Sequence, residues 1–139
     1  LDYWGAMYNY SKAVCEKNSR SEGVDDRCTF VHGDANKLDF PDESFDAVIS
    51  NYVYHNIMGA DKQALLLESL RVLKKGGVFV LHDNMKPQMY GDMNAFAKKL
   101  RDMGFEKAEY VETAAAIFGS KSRAALMMLG DSAMIVGRK

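Results

Sequence analysis

Phe40-Pro41-Asp42-Glu43-Ser44-Phe45-Asp46-Ala47-Val48-Ile49-Ser50 is the stretch whose reading decides the fold class. Pro41 fixes its own φ, and the acidic and hydroxyl side chains that follow can bond the backbone of a turn. The turn feeds 45–50, an apolar run bounded by polar residues, which suits a strand covered on both faces. Downstream, Asp61 can cap a helix carrying Leu66, Leu70 and Leu73 on one face, with Lys74-Lys75-Gly76-Gly77 ending it and placing cations at the negative end of the dipole. Residues 78–81 read as a second wholly apolar strand, closing on His82-Asp83. Asp92 then opens a helix with a stripe of Met93, Phe96, Ala97, Leu100 and Met103, stopped by Gly104.

A strand over 106–112, a helix over 120–129 and a last strand over 132–137 complete the C-terminal part, with 113–131 an insertion before that last strand. Upstream, 28–32 reads as a short strand around Phe30 and Val31 that ends in Gly33-Asp34. Before it, 6–21 reads as a helix with Met7, Tyr10, Val14 and Cys15 on one face and Gly23 as its stop. Helices alternating with short buried strands predict one α/β domain over 1–139, with a parallel sheet and helices on both faces. Ligands of such sheets bind beyond the carboxyl ends of strands, so the loops starting at Asp2, Asp34, Asn51 and His82 are expected to converge on one rim.

Composition narrows the function classes. The 139 residues carry 18 Lys+Arg against 19 Asp+Glu, a formal net charge of −1, so no basic face calls for nucleic acid. No apolar run approaches the ~18 residues of a membrane span, and no basic region followed by an apolar stretch opens the chain. Cys15 and Cys28 lie far apart without metal-ligand spacing and read as buried free thiols, which suits a reducing cytoplasmic compartment. The chain begins at Leu1 and not at Met.

At the strand ends, Asp2 could accept both hydrogen bonds of a ribose diol. Tyr3 and Trp4 offer flat faces for an adenine, or pack at a helix entrance. Asp34 is an acidic candidate for the exocyclic amine of adenine. His32, Asp34 and His82 could also be read as an H-x-D…H iron triad, but that site belongs on an antiparallel jelly roll.

Three stretches carry a family resemblance. Residues 18–35, ending in Phe30-Val31-His32-Gly33-Asp34-Ala35, resemble the second-helix and third-strand region of class I S-adenosylmethionine-dependent methyltransferases. Residues 38–50 resemble the LPFPDxSFDxVxS segment of that family, and Arg71-Val72-Leu73-Lys74-Lys75-Gly76-Gly77 resembles its RVLKPGG segment, with Lys75 in place of proline. The resemblance is to the small-molecule, UbiE-like branch. It implies a Rossmann-like, mostly parallel sheet, S-adenosylmethionine as cofactor and methyl transfer to a small-molecule acceptor.

By that resemblance Asp2 would hold the ribose, Tyr3 and Trp4 would flank the adenine, and Asp34 with the Ala35 backbone would read its edge. Asn51 and Tyr52 would line the methionine half and the transfer channel. His55 either lines the active site with Tyr52 as a catalytic residue or caps the turn that follows it. The family's glycine-rich turn, expected about 20 residues before Asp2, has no counterpart here, and the first strand, first helix and most of the second strand are expected to be absent. An inactive fragment is therefore expected, or a non-catalytic module that docks on a partner or forms a homodimer through exposed sheet edges. No metal site is expected.

Overall fold

The computed structural model describes residues 11–139. The chain divides into two units, Leu1–Asp39 and Phe40–Lys139. In the first, helix α1 (Lys12–Ser21) begins where the side chain of Ser11 accepts the Val14 N–H at 3.4 Å. Ser11 itself is extended, so the described helix starts at Lys12; residues 6–10, with Met7 and Tyr10, lie outside the described residues. A single 3₁₀ turn, Asp25–Arg27, follows.

The strand expected over 28–32 does not form. Isolated strands are unstable without a ladder partner, and among the described residues the pairing nearby is a single bridge between Asp34 and Lys37, while Val31 is exposed. Both cysteines are free, but Cys15 is only half-buried and Cys28 is exposed, so neither is the core thiol expected.

The second unit is built on a four-stranded sheet of β1 (Phe45–Asn51), β2 (Leu73–Asn84), β3 (Lys107–Glu112) and β4 (Ser132–Arg138), in the order β1-β2-β4-β3. The fold class is α/β, as expected. The described sheet is mixed, since β1 and β2 are parallel while β4 runs antiparallel to both β2 and β3. Helix α2 (Lys62–Arg71) starts at Asp61, whose Oδ1 accepts the N–H groups of Gln63 and Ala64 at 2.9 and 3.2 Å. Short helix α3 (Pro87–Tyr90) follows β2, and α4 (Met93–Asp102) starts at Asp92, which caps Asn94 and Ala95 in the same way. The buried stripe of α4 is Met93, Phe96, Ala97 and Leu100; Met103, at the C-cap, is exposed.

The 71–77 segment behaves differently from its sequence expectation. Helix α2 ends at Arg71, because the turn at 41–44 captures its last carbonyls: Glu43 N–H donates to Arg71 O at 3.1 Å, and Ser44 and Phe45 N–H donate to Val72 O at 2.8 and 2.9 Å. Leu73 is thus a buried strand residue and not part of the helical face. The Arg71 guanidinium closes the joint by donating to both Glu68 carboxylate oxygens, to Asp42 at 2.6 Å and to the Phe40 carbonyl at 2.9 Å. These carboxylate partners hold its proton more tightly than usual. Lys74 reaches Asp46 across the strands at 2.8 Å.

Burial alternates along β2 from Gly77 to Leu81 and is continuous from Leu81 to Asn84. Phe79 and Leu81, the latter in register with Ile135 of β4, are buried on the face where α2 packs against β2 and α4 against β3. On the opposite face Val78 remains 44% exposed and Ile49 78%. β1, expected to be covered on both faces, has no buried residue, because among the described residues no helix covers the face that carries Ile49 and Val78. Residues 113–131 form α5 (Ala114–Phe118) and α6 (Lys121–Leu126), the latter capped by Ser120 and ended by Met127 and the left-handed Met128, so it is shorter than the expected 120–129. Among the described residues, no helix is long and apolar enough to cross a membrane.

Two glycines carry the register slip between β1 and β2. Gly76 adopts φ +76°, and a Cβ on Gly77 would lie 2.6 Å from Leu73 Cδ1 and 2.9 Å from the carbonyl oxygens of Asp46 and Lys74. Backbone carbonyls cannot move aside cheaply. Gly77→Ala is expected to lower unfolding free energy by about 1–3 kcal/mol, read as a lower urea midpoint at unchanged slope; an unchanged midpoint would contradict the close approach.

Candidate functional site

Parallel strands β1 and β2 bring their carboxyl ends together, with Asn51 in register with His82. Beyond β1 the chain reverses at Tyr52, which adopts φ 54° and donates its N–H to His82 O at 2.9 Å. Such left-handed backbone is uncommon for a bulky residue. It directs the following 3₁₀ turn, Tyr54–Asn56, over the end of β2.

Asp83, fully buried, occupies that end. Its Oδ2 accepts the N–H groups of Tyr54 at 2.7 Å and His55 at 3.2 Å. Its Oδ1 accepts the Asn84 N–H at 2.7 Å and meets His55 Nδ1 at 2.5 Å. With the carboxylate as acceptor at both oxygens, His55 carries its proton on Nδ1 and turns Nε2 outward as the basic nitrogen. The Asn56 amide donates to that Nε2 at 2.9 Å. The His55 side chain is 28% exposed, so the dyad reaches solvent on one side.

Two further side chains are tuned by this buried carboxylate. Burial pushes the Tyr90 phenol far above its ordinary range, and the charge of Asp83 adds to the shift, so Tyr90 stays neutral. Lys62, buried and bonded to the Ile57 carbonyl, has its pKa lowered by burial, with Asp83 acting in the opposite direction.

His82 holds a second polar cluster on the other face of β2. Its Nδ1 lies 2.7 Å from Asn51 Oδ1 and its Nε2 lies 2.7 Å from Thr113 Oγ1. A donor Nδ1–H and an acceptor Nε2 satisfy both contacts, leaving the Asn51 amide hydrogens for a ligand. Burial lowers the His82 pKa, partly opposed by Asp83. Tyr52 stacks edge-on against His82 at 4.7 Å, and its hydroxyl donates to Ser132 Oγ at 2.8 Å because Ser132 already donates to Leu129 O. With both ring nitrogens engaged, His82 is not a free iron ligand, which removes the triad reading.

Of the residues singled out from the sequence, Asn51, Tyr52 and His55 thus meet on one rim. Asp2, Tyr3 and Trp4 lie outside the described residues. Asp34 and Ala35 belong to the first unit. There Asp34 Oδ1 accepts from the backbone and side-chain nitrogens of Asn36 at 2.9 and 2.8 Å, bonds that hold its carboxyl below the usual carboxylate range and leave Oδ2 outside the turn. Asp83, Asn56, Thr113 and Ser132 were not anticipated. The one sequence signal for Asp83 is its place directly after a wholly apolar strand run.

Comparison with known proteins places this geometry in context. The methyltransferase domain family matches residues 1–81. Demethylmenaquinone methyltransferase of Clavibacter sepedonicus is 40% identical over 79 residues, covering 57% of this chain and 31% of the relative. Sterol 24-C-methyltransferase erg6 of Aspergillus fumigatus is 31% identical over 98 residues, covering 70% of this chain and 25% of the relative. The matches therefore span about a third or less of those proteins. Among solved structures, the [4+2]-cyclase SpnF superposes with a TM-score of 0.64 at 19% identity, covering 91% of this chain and 62% of that one.

The depressed pKa of His82 has a thermodynamic consequence. As pH falls below about 6.5, the unfolded state takes up the proton first, so stability present above that value is lost on acidification. His82→Gln is expected to flatten the fall in urea midpoint between pH 6.5 and 5; parallel curves for variant and parent would refute the assignment.

Proposed function

Because the chain belongs to the methyltransferase domain family, whose cofactor is S-adenosylmethionine, we propose that it serves methyl transfer to a small-molecule acceptor, with His55 as the base that takes the acceptor's proton. The observation that carries this reading is the pairing of buried Asp83 with half-exposed His55 at the carboxyl rim of the parallel strands. The described residues fit the cofactor chemically. Asp34 is an exposed anion with one oxygen outside its turn, suited to an amine, and Asn51 offers amide hydrogens to a carboxylate. Asp2, Tyr3, Trp4 and the Ala35 backbone complete the proposed cofactor set.

When bound, the cofactor supplies a methyl carbon on a positively charged sulfur that departs as a neutral thioether. What remains for the protein is alignment and disposal of one proton. Asp83 fixes the Nδ1–H tautomer of His55 and stabilises the imidazolium that forms. An acceptor hydroxyl or amine would replace the Asn56 amide at Nε2 and give up its proton there, as its lone pair becomes the new bond to carbon. Tyr52, held through Ser132 and His82, forms the wall that orients the acceptor.

His55→Ala is expected to lower turnover about 10²- to 10⁴-fold with little change in cofactor affinity, measured by thioether product formation and by calorimetry. Unchanged turnover with every competent acceptor would remove His55 as the base.

A second reading, a non-catalytic module that pairs with another copy, is favoured by a separate observation. Among the described residues β1 pairs only with β2, which leaves its other edge open beside the exposed Ile49. Light scattering on this chain tests it: a dimeric mass that Ile49→Lys abolishes is expected, and a monomer at all concentrations would exclude it.

A further inference from the structure

Lys62 is the first residue of α2 and is only 3% exposed. A cation there works against the helix dipole, whose positive end lies at the N-terminus, and against the cost of leaving water. The start of α2 is already capped by Asp61, so the cation adds nothing to the helix itself. Its ammonium instead reaches out of the helix and donates to the carbonyl of Ile57, the residue that closes the 3₁₀ turn Tyr54–Asn56. The turn is therefore gripped at both ends. Asp83 accepts the N–H groups of Tyr54 and His55 at its start, and Lys62 takes the carbonyl at its close. Gln63, the next residue of α2, ties the helix to α3 instead, donating from Nε2 to Tyr90 O at 2.7 Å.

Charge adds a second link between Lys62 and the imidazole. The ionisable groups coupled to Asp83 come from each element packed around it: Tyr54 and His55 from the turn, Lys62 from α2, His82 from β2 and Tyr90 from α3. Tyr52 faces the His55 ring edge-on at 6.3 Å, with its hydroxyl engaged at Ser132. Burial pushes the Tyr54 and Tyr90 phenols up and the His82 imidazole down, so these three are neutral near pH 7. Lys62, supported by Asp83 against its own burial, is the standing cation of the cluster. It offsets part of the carboxylate charge that would otherwise hold a second proton on His55.

We propose that Lys62 is a positioning residue for His55: it anchors the turn that carries the imidazole and, as the cation coupled to Asp83, keeps Nε2 unprotonated near neutral pH. The role rests on the reading of His55 as the base of methyl transfer, because a base must meet its acceptor without a proton.

NMR titration of the His55 imidazole, assigned by the signal lost in His55→Gln, reads the effect without cofactor. Lys62→Met removes charge and donor at similar length, while Asp83 retains its four donors. It is expected to raise the His55 pKa by at least about half a unit, and the acidic limb of the turnover profile moves up with it. Gln63→Met loosens the same turn of α2 without changing charge; it is expected to lower the urea midpoint and leave the His55 titration in place. In the parent protein the ¹³Cε shift of Lys62 is expected to report an ammonium at pH 7. An unmoved His55 pKa in Lys62→Met, an equal rise in Gln63→Met, or an amine at Lys62 in the parent overturns the proposal, and the last holds even if Lys62→Met does not fold. An unshifted pKa with His55-dependent turnover intact sinks the role of Lys62 alone. A shifted pKa in a protein that shows no S-adenosylmethionine binding by calorimetry sinks the methyl-transfer reading.

Discussion

A carboxylate with no solvent exposure is the constraint around which the rim of this sheet is arranged. Moving such a group out of water costs several kcal/mol even after relaxation, so Asp83 is tolerable only where donors replace its hydration. Three of its four donors are main-chain N–H groups, from Tyr54, His55 and Asn84. The loop after β1 must therefore pass over the end of β2 along one path, and the left-handed backbone at Tyr52 follows from that requirement. Its strain, of order 1 kcal/mol or more, is offset by the Tyr52 hydrogen bonds to His82 and Ser132. The His55 imidazole is oriented as a by-product of satisfying the charge.

At the opposite end of β1, two sequence segments form one joint. The turn at 41–44 terminates α2 by taking its carbonyls, and Arg71 returns four hydrogen bonds to Glu68, Asp42 and Phe40. Each surface ion pair in it contributes little alone. Together with the bonds from 43–45, however, they set where β2 begins, and the glycines at 76 and 77 absorb the resulting slip. The register that delivers Asn51 opposite His82 is thus established at the far end of the strands.

The insertion is more than a tether between β3 and β4. Thr113 and Ser132 complete the hydrogen-bonding needs of His82 and Tyr52, so displacement of either foot would leave a buried polar group unmatched. That coupling ties both ends of the 113–131 segment to the candidate site.

Sequence alone determined the four strands and helices α2, α4 and α6 of the second unit and the caps at Asp61 and Asp92, but not α3 or α5, because capping, proline turns and apolar periodicity are local properties of the chain. It also placed Asn51 at the carboxyl end of a strand, where a side chain is anchored yet accessible, whereas Tyr52 and His55 came with the family resemblance. Local pattern failed over 28–32, where an apolar pair joins no ladder among the described residues, and at 71–77, where a remote turn ended the helix earlier than its glycines would have. Only the tertiary structure decided that Asp83, and not another polar residue at the strand end, is the buried acceptor, and that Thr113 and Ser132 come to His82 and Tyr52. Burial and long-range hydrogen bonds depend on what the rest of the chain brings to a position, and no spacing along the sequence encodes that.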